Sequence, residues 1–312
     1  MDQDLVEKIA NAVLYEGYML YPYRPSAIKN QHRFNFGVIY PQDYGVAANE
    51  HFCMQTECLL EKDWRVALDA RVRFLHLTAR EGWQEAVERE VRAPAIGLDD
   101  LLSTPRRISF VVPTSWSNRS RRANGSAALE TINGEIEISA QQLADRIFKL
   151  TVRILNVTPL PEAQNMSRES ALSRSMVSTH TILTARGGEF ISSLDPPEAL
   201  REMAGSCRNI CAYPVLVGVE GARDAVLSSP IILYDYPQIA PESPGDLFDG
   251  TEIDEMLALR ILTLTDEEKD EMRYGDARAR RILERTEALP VQQLMKLHGR
   301  ARAMRQAGGG ER

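Results

Sequence analysis

Cysteine is scarce, long apolar runs are missing and no motif of known chemistry is complete; each lack excludes something. The four cysteines fall in two local pairs, Cys53 with Cys58 and Cys207 with Cys211. They are too few for a disulfide scaffold, and their spacing is not that of paired Cys-x-x-Cys knuckles, so a zinc site is not expected. If the run HFCMQTECLLE is a strand, Cys53 and Cys58 point to opposite faces, and buried thiols are the expected fate. No window approaches the roughly 20 apolar residues that cross a bilayer. The first residues, MDQDLVEKIANAVLYEGY, carry acids where a signal peptide carries positive charge. A cytoplasmic protein with no membrane partner is the expectation.

Positive charge is also short. The formal net charge of -7 argues against an unselective nucleic-acid binder, which needs a concentrated cationic face. Arg119, Arg121 and Arg122 sit in a polar Ser, Asn and Gly stretch that reads as a solvated loop. The glycines lack the spacing and the lysine of a phosphate-binding loop, and the five histidines form no close pair, so no cofactor or resident metal is expected.

What is present is enough apolar content, 44%, to bury a core, in a chain long enough for two folding regions. Leu5, Ile9, Ala10, Val13, Leu14 and Tyr18 recur at helical spacing, and a helix opens the chain. From about Asn35 to Pro161 the pattern is mostly β. Leu68, Ala70, Val72 and Phe74 share one face of a strand, and Asp69, Arg71 and Arg73 take the other. At Leu75, His76 and Leu77 that alternation changes, as a bulge or a strand covered on both faces requires. Leu150, Val152, Ile154 and Asn156 alternate with Lys149, Thr151, Arg153 and Leu155 in the same way.

Three further expectations concern the β-rich body. The run GWQEAVEREVRAP reads as a helical interruption packed through Trp83, Ala86, Val87 and Val91, continuing to LLSTP. Gly187-Gly188 reads as a turn. The runs PVLVGV and SSPIILY read as two more apolar strands. Together they give an α+β protein: an antiparallel, sandwich-like β body with helical insertions, followed by a helical C-terminal region. The expected divisions are 1–34, 35–245, 246–304 and a disordered tail, 305–312.

The stretch YDYPQIAPESPGDLFDGTEIDEML, from Tyr234, packs proline, glycine and carboxylates ahead of the C-terminal helices. Between Asp235 and Asp276 there are 13 acids and only three Lys or Arg. Asp249 to Glu252 and Thr265 to Glu268 have capping-box spacing, the second being the better match because it begins with Thr. Capping explains part of the acid content, and the excess leaves a docking surface or a carboxylate metal site. The tyrosines 15, 18, 21 and 23, with Arg24, make the densest aromatic and basic patch, which reads either as core packing or as an interface. Ser175, Ser178 and Thr179 lie near His180, but local adjacency does not make a catalytic triad.

The segments YPYRPSAIKN and SSPIILYDYPQIAPESPGDLFDGTEIDEMLALRILTLTDEEK resemble an uncharacterised bacterial family encoded alongside nickel-iron hydrogenases of the actinobacterial type. The resemblance implies a cytoplasmic accessory or assembly role, with a hydrogenase subunit or maturation factor as partner, and carries over no catalytic residue. The expected partner-binding residues are Tyr21, Tyr23, Arg24, Asp246, Asp249, Glu252 and Glu255. The rival is a metal-assisted hydrolase using the acids around Asp249.

Overall fold

The computed structural model describes residues 3–15, 36–80, 83–113, 131–238, 261, 263–274, 280, 283–284 and 286–288. The chain divides into two compact units, Met1–Leu20 with His32–Gln238, and Tyr21–Gln31 with Ile239–Arg312.

The first unit is built on one long strand. β1 (Cys53–Arg80) runs for 28 residues and serves three neighbours. On one edge it pairs antiparallel with β5 (Ile147–Asn156) from Cys53 to Glu61, and with β2 (Trp83–Gly97) from Ala67 to Arg80. On the other it pairs with β6 (Val177–Phe190) from Leu60 to Leu75. Outward from β5 lie β4 (Ile132–Gln142) and then β3 (Arg106–Val112). Outward from β6 lie β8 (Ala225–Ser229) and then β7 (Tyr213–Leu216). The result is an antiparallel sheet of eight strands that does not close, with a few helices: the α+β class expected from the alternation.

One bent sheet encloses the main core. The even positions of β1, Met54, Cys58, Leu60, Val66, Leu68, Ala70, Val72 and Phe74, share a cluster with Ile132, Ile136 and Ile138 of β4 and Leu150, Val152 and Ile154 of β5. Phe74 of β1 and Phe110 of β3 are three strands apart in the sheet, yet their rings stand 6.4 Å apart, so the sheet curls over its own contents. Adjacent strands are spaced by about 4.8 Å, and a flat sheet would hold these rings more than twice as far apart. Gly134 makes room for this packing, since a Cβ there would sit 2.1 Å from the Phe110 ring.

The bend in β1 falls at Lys62 to Ala67, where its register with β6 slips. Gly187 stands opposite with φ +80°, and a Cβ on it would lie 2.2 Å from the Arg65 carbonyl oxygen. The expected Gly187-Gly188 turn is therefore corrected: β6 runs straight through both glycines, which permit close backbone approach.

The run from Trp83 is also corrected, from helix to the strand β2. Val87, Arg89, Val91 and Ala93 alternate with Glu88, Glu90 and Arg92, and the acids of the second set stand across from Arg73 and Leu75 of β1. Helical spacing of four apolar residues was outweighed by cross-strand charge pairing along β1. Only Leu98–Ser103, at the end of the expected interruption, is helical.

Of the two explanations for the change at Leu75, coverage on both faces holds for β1, and the bulge lies on its partner strand β6. β6 carries a register shift between Arg73 and Leu75, with Ser178 at φ +52°. Leu75 and Leu77 are buried in a second cluster with Leu14, Val38, Tyr40, Tyr44, Leu160, Leu172 and Val177, on the face opposite the main core. The helix α1 (Gln3–Tyr15) buries Val6, Ile9, Ala10, Val13 and Leu14. Its Glu7 meets Arg71 and Arg73, and its Asn11 accepts a hydrogen bond from Arg73 at 2.7 Å. Short helices α2 (Gln42–Ala48), α3 (Leu98–Ser103), α4 (Arg168–Leu172) and α5 (Arg201–Gly205) complete the unit.

In the second unit the helix α6 (Asp266–Tyr274) starts with the expected capping box. The Glu268 amide donates to Thr265 Oγ1 at 3.3 Å, and the Thr265 amide donates to Glu268 Oε2 at 3.0 Å. Arg273 then bonds both carboxylate oxygens of Glu287 at 3.1 Å. Ile261, Leu264, Met272 and Leu283 are buried.

Candidate partner-binding surface

The second apolar strand expected from SSPIILY is displaced. Pro230 follows Ser229, the last residue of β8, and a proline has no N–H to continue the ladder. The chain leaves the sheet there and returns along the outer edge of β7. It is held at Leu216 by two bonds: the Leu216 amide donates to Asp235 Oδ1 at 2.8 Å, and the Tyr236 amide donates to the Leu216 carbonyl at 2.8 Å. Asp235 also accepts from the Ser192 hydroxyl at 2.5 Å, and Ser192 Oγ accepts from the amides of Leu194 and Asp195. One carboxylate thus fixes both the returning loop and the turn after β6.

This bracing presents large apolar side chains to solvent. Ile232 is 72% exposed and Tyr234 86%, and Leu194 and Tyr213 are about half exposed. Apolar groups held on a fixed loop at a sheet edge are of the type that anchors protein interfaces. Pro214 within β7 and the returning chain blunt the edge itself against strand addition.

The expected site residues are distributed as follows. Tyr21, Tyr23, Arg24, Asp246, Asp249, Glu252 and Glu255 lie outside the described residues, as does the Asp249–Glu252 box. Asp235, the first acid of the acidic stretch, is a structural acceptor. Among the later acids, Glu268 caps α6 and Asp270 pairs with Arg273 at 2.9 Å.

His180 is sealed in β6 with no exposed surface, and its Nδ1–H donates to the Ser178 carbonyl at 3.1 Å. Burial pushes its pKa down from 6.5 to about 3, helped by the neighbouring Arg73 and Arg71. An imidazole this inaccessible is a core group. His76 is equally buried, its Nε2–H donates to the Ser173 carbonyl at 3.0 Å, and burial lowers its pKa to about 4.

All four cysteines are free. Cys58 lies in the main core and Cys53 on the opposite face, as their odd spacing requires. Gln55 and Ile210 exchange backbone hydrogen bonds of 3.0 and 2.9 Å, which lays the segment bearing Cys207 and Cys211 along β1. Burial raises the pKa of every one of these thiols, which disfavours the thiolate that metals and electrophiles require. Among the described residues no three His, Cys, Asp or Glu side chains gather as a metal group.

One half-open hollow, of about 520 Å³, is lined by Gln3, Asp69, Thr184, Ala185, Arg186 and Asp224. Arg186 pairs with Asp69 at 3.6 Å across it. Its lining offers hydrogen-bonding groups of both charges.

The signal for the exposed loop was in the sequence: the apolar run is broken by Pro230 after two serines, and a strand reading passes over that proline. Among the described residues no helix is long and apolar enough to cross a membrane, which says nothing of strands. No protein-family model matches the chain, and no curated protein matches it either.

Proposed function

We propose that this chain is a partner-binding accessory protein of the cytoplasm, serving a nickel-iron hydrogenase subunit or maturation factor. The observation that supports it is the pair Ile232 and Tyr234, held in solvent on a loop that Asp235 braces against β7. The resemblance of the two segments quoted above supplies the class of partner. Asp246, Asp249, Glu252 and Glu255, and Tyr21, Tyr23 and Arg24, are proposed as further partner-binding residues on the strength of the sequence alone.

Co-purification of a tagged chain from cells expressing the hydrogenase tests this reading. Ile232→Ser with Tyr234→Ala is expected to cut partner recovery by at least about tenfold, the effect of removing one aromatic anchor. A parallel Asp249→Ala, Glu252→Ala, Glu255→Ala variant separates the acidic stretch from the apolar loop. Unchanged recovery in both, with the fold intact by circular dichroism, overturns the proposal.

A further inference from the structure

The margins of the sheet are not protected alike. At one end of the strand order, β7 contains Pro214 and is lined by the returning loop, whose Asp235 and Tyr236 bond to Leu216. β2 carries Glu88, Glu90, Arg92 and Pro94 within its span. Charge and proline of this kind keep an edge from pairing with another chain. β3, at the other end of the strand order, has neither over residues 108–112, where Ile, Ser, Phe, Val and Val follow one another. These are mostly strong strand formers. Among the described residues β3 pairs with β4 alone. Arg89 of β2 reaches the Pro113 carbonyl at 3.1 Å, just beyond the last residue of the strand. Val111 is 66% exposed.

The charges beside this edge indicate what suits it. Arg153 of β5 stands across from Glu137 of β4, and Glu137 across from Arg107 of β3. Glu137 pairs with Arg107 at 2.9 Å and with Arg153 at 3.9 Å. The row runs cation, anion, cation and stops at the edge, where the Arg107 side chain is 67% exposed. Opposite charges directly across a strand pair stabilise it, and like charges oppose it. A further strand therefore fits with an acid across from Arg107. On the other face Ile108 and Phe110 pack against the main core, so the residues flanking that acid must be apolar. A second copy of β3 does not meet this requirement: the strand contains no acid, and in no register does its twin offer Arg107 a carboxylate.

We propose that β3 accepts an extended acidic segment of another protein as an additional antiparallel strand, with Asp or Glu across from Arg107 and apolar residues across from Ile108 and Phe110. Main-chain hydrogen bonds along the edge supply the affinity, and the alternation of acid and apolar residues supplies the specificity. This edge and β7 are opposite ends of the strand order, so the inference stands without the function proposed above.

Two fluorescent peptides titrated into the full chain test it by anisotropy: Thr-Val-Glu-Val-Glu-Val, and the same sequence with lysine for both glutamates. The expected result is one saturable site for the acidic peptide, with the lysine peptide weaker by at least about tenfold, because both cross-strand contacts turn from attraction to repulsion. Arg107→Glu is expected to reverse the preference, which mere loss of structure does not do. Amide exchange is expected to slow at alternate residues of β3 when the acidic peptide binds. No saturable binding of the acidic peptide, equal affinity for the two peptides, or slowed exchange confined to other strands overturns the proposal. A dimer in sedimentation that excludes the peptide and dissociates in Val111→Lys gives the edge to a second copy, and overturns it too. Should Arg107→Glu fail to fold, the two peptides and the exchange pattern on the wild-type protein decide.

Discussion

The side-chain amide of Asn156 donates to the carbonyl oxygen of Ile39 at 3.0 Å, tying the last residue of β5 to the chain that precedes β1. The same amide donates to the Arg174 carbonyl at 2.8 Å, and its oxygen accepts from the Thr158 amide at 3.1 Å and the Thr158 hydroxyl at 2.6 Å. One fully buried side chain thus satisfies three separate segments. Asn156→Ala takes this partner from the Arg174 carbonyl and the Thr158 amide, while the Ile39 carbonyl keeps the Met176 amide and the Thr158 hydroxyl keeps Asn133, and the expected loss is about 1–3 kcal/mol. A urea midpoint that falls with an unchanged m-value would agree; a loss below about 0.5 kcal/mol would remove the clamp.

Arg73 is almost fully buried against Glu7, Glu88, Glu90 and Asn11. Its carboxylate partners are partly exposed, so water screens them when the arginine is removed. Arg73→Met is expected to cost about 1–3 kcal/mol, less than breaking a pair buried on both sides. The loss should be greater for hydrogen-exchange protection of α1 than for that of β8, because only α1 uses the network. Equal loss in both elements contradicts this.

The two buried histidines predict a pH dependence. Their folded pKa values, about 4 for His76 and about 3 for His180, lie below the unfolded value of 6.5. Below pH 6.5 the unfolded chain takes up protons that the folded chain refuses, so their contribution is complete above pH 6.5 and is lost as pH falls. The slope approaches about 1.4 kcal/mol per pH unit for each histidine between pH 6 and 5. Urea unfolding at pH 7, 6 and 5 measures it; a flat profile would show that neither ring stays neutral.

Gly187→Ala places a methyl group against the Arg65 carbonyl in a left-handed backbone, and both effects oppose it. The expected destabilisation is about 3 kcal/mol. Gly205→Ala, with open space around the added carbon and an ordinary helical backbone, serves as the control and should change stability little. Thermal midpoints of the two variants compared with wild type decide the matter.

Thr265→Ala removes one half of the α6 capping box and should cost about 1 kcal/mol in the second unit. Thr265→Ser should restore most of it. Exchange rates of the first-turn amides are the direct readout, and unchanged protection at Glu268 in Thr265→Ala would contradict the box.

Much of the β body was legible because its strands have one buried face. Leu68 to Phe74 and Leu150 to Asn156 alternate cleanly, and the paired positions in the sheet follow. β2 was not legible, because Trp83, Ala86, Val87 and Val91 also satisfy a helical period, and the glutamates that distinguish the two answers act through partners on another strand. The exposed loop was misread because apolar residues at Ile231 to Leu233 look like a strand until Pro230 is given its due. Which arginines meet a carboxylate could not be read at all, because the pairings of Arg71 and Arg73 depend on strand register. Charge content alone hides that difference.

β1 has a consequence for how the protein is made. During synthesis β2 follows it at once and can pair with its second half, but β5 and β6 emerge much later. Until β6 leaves the ribosome, one whole edge of a 28-residue strand has no native partner. The nascent chain therefore carries its most adhesive element through about a third of its own translation, and the period of risk ends only when the residues around His180 arrive.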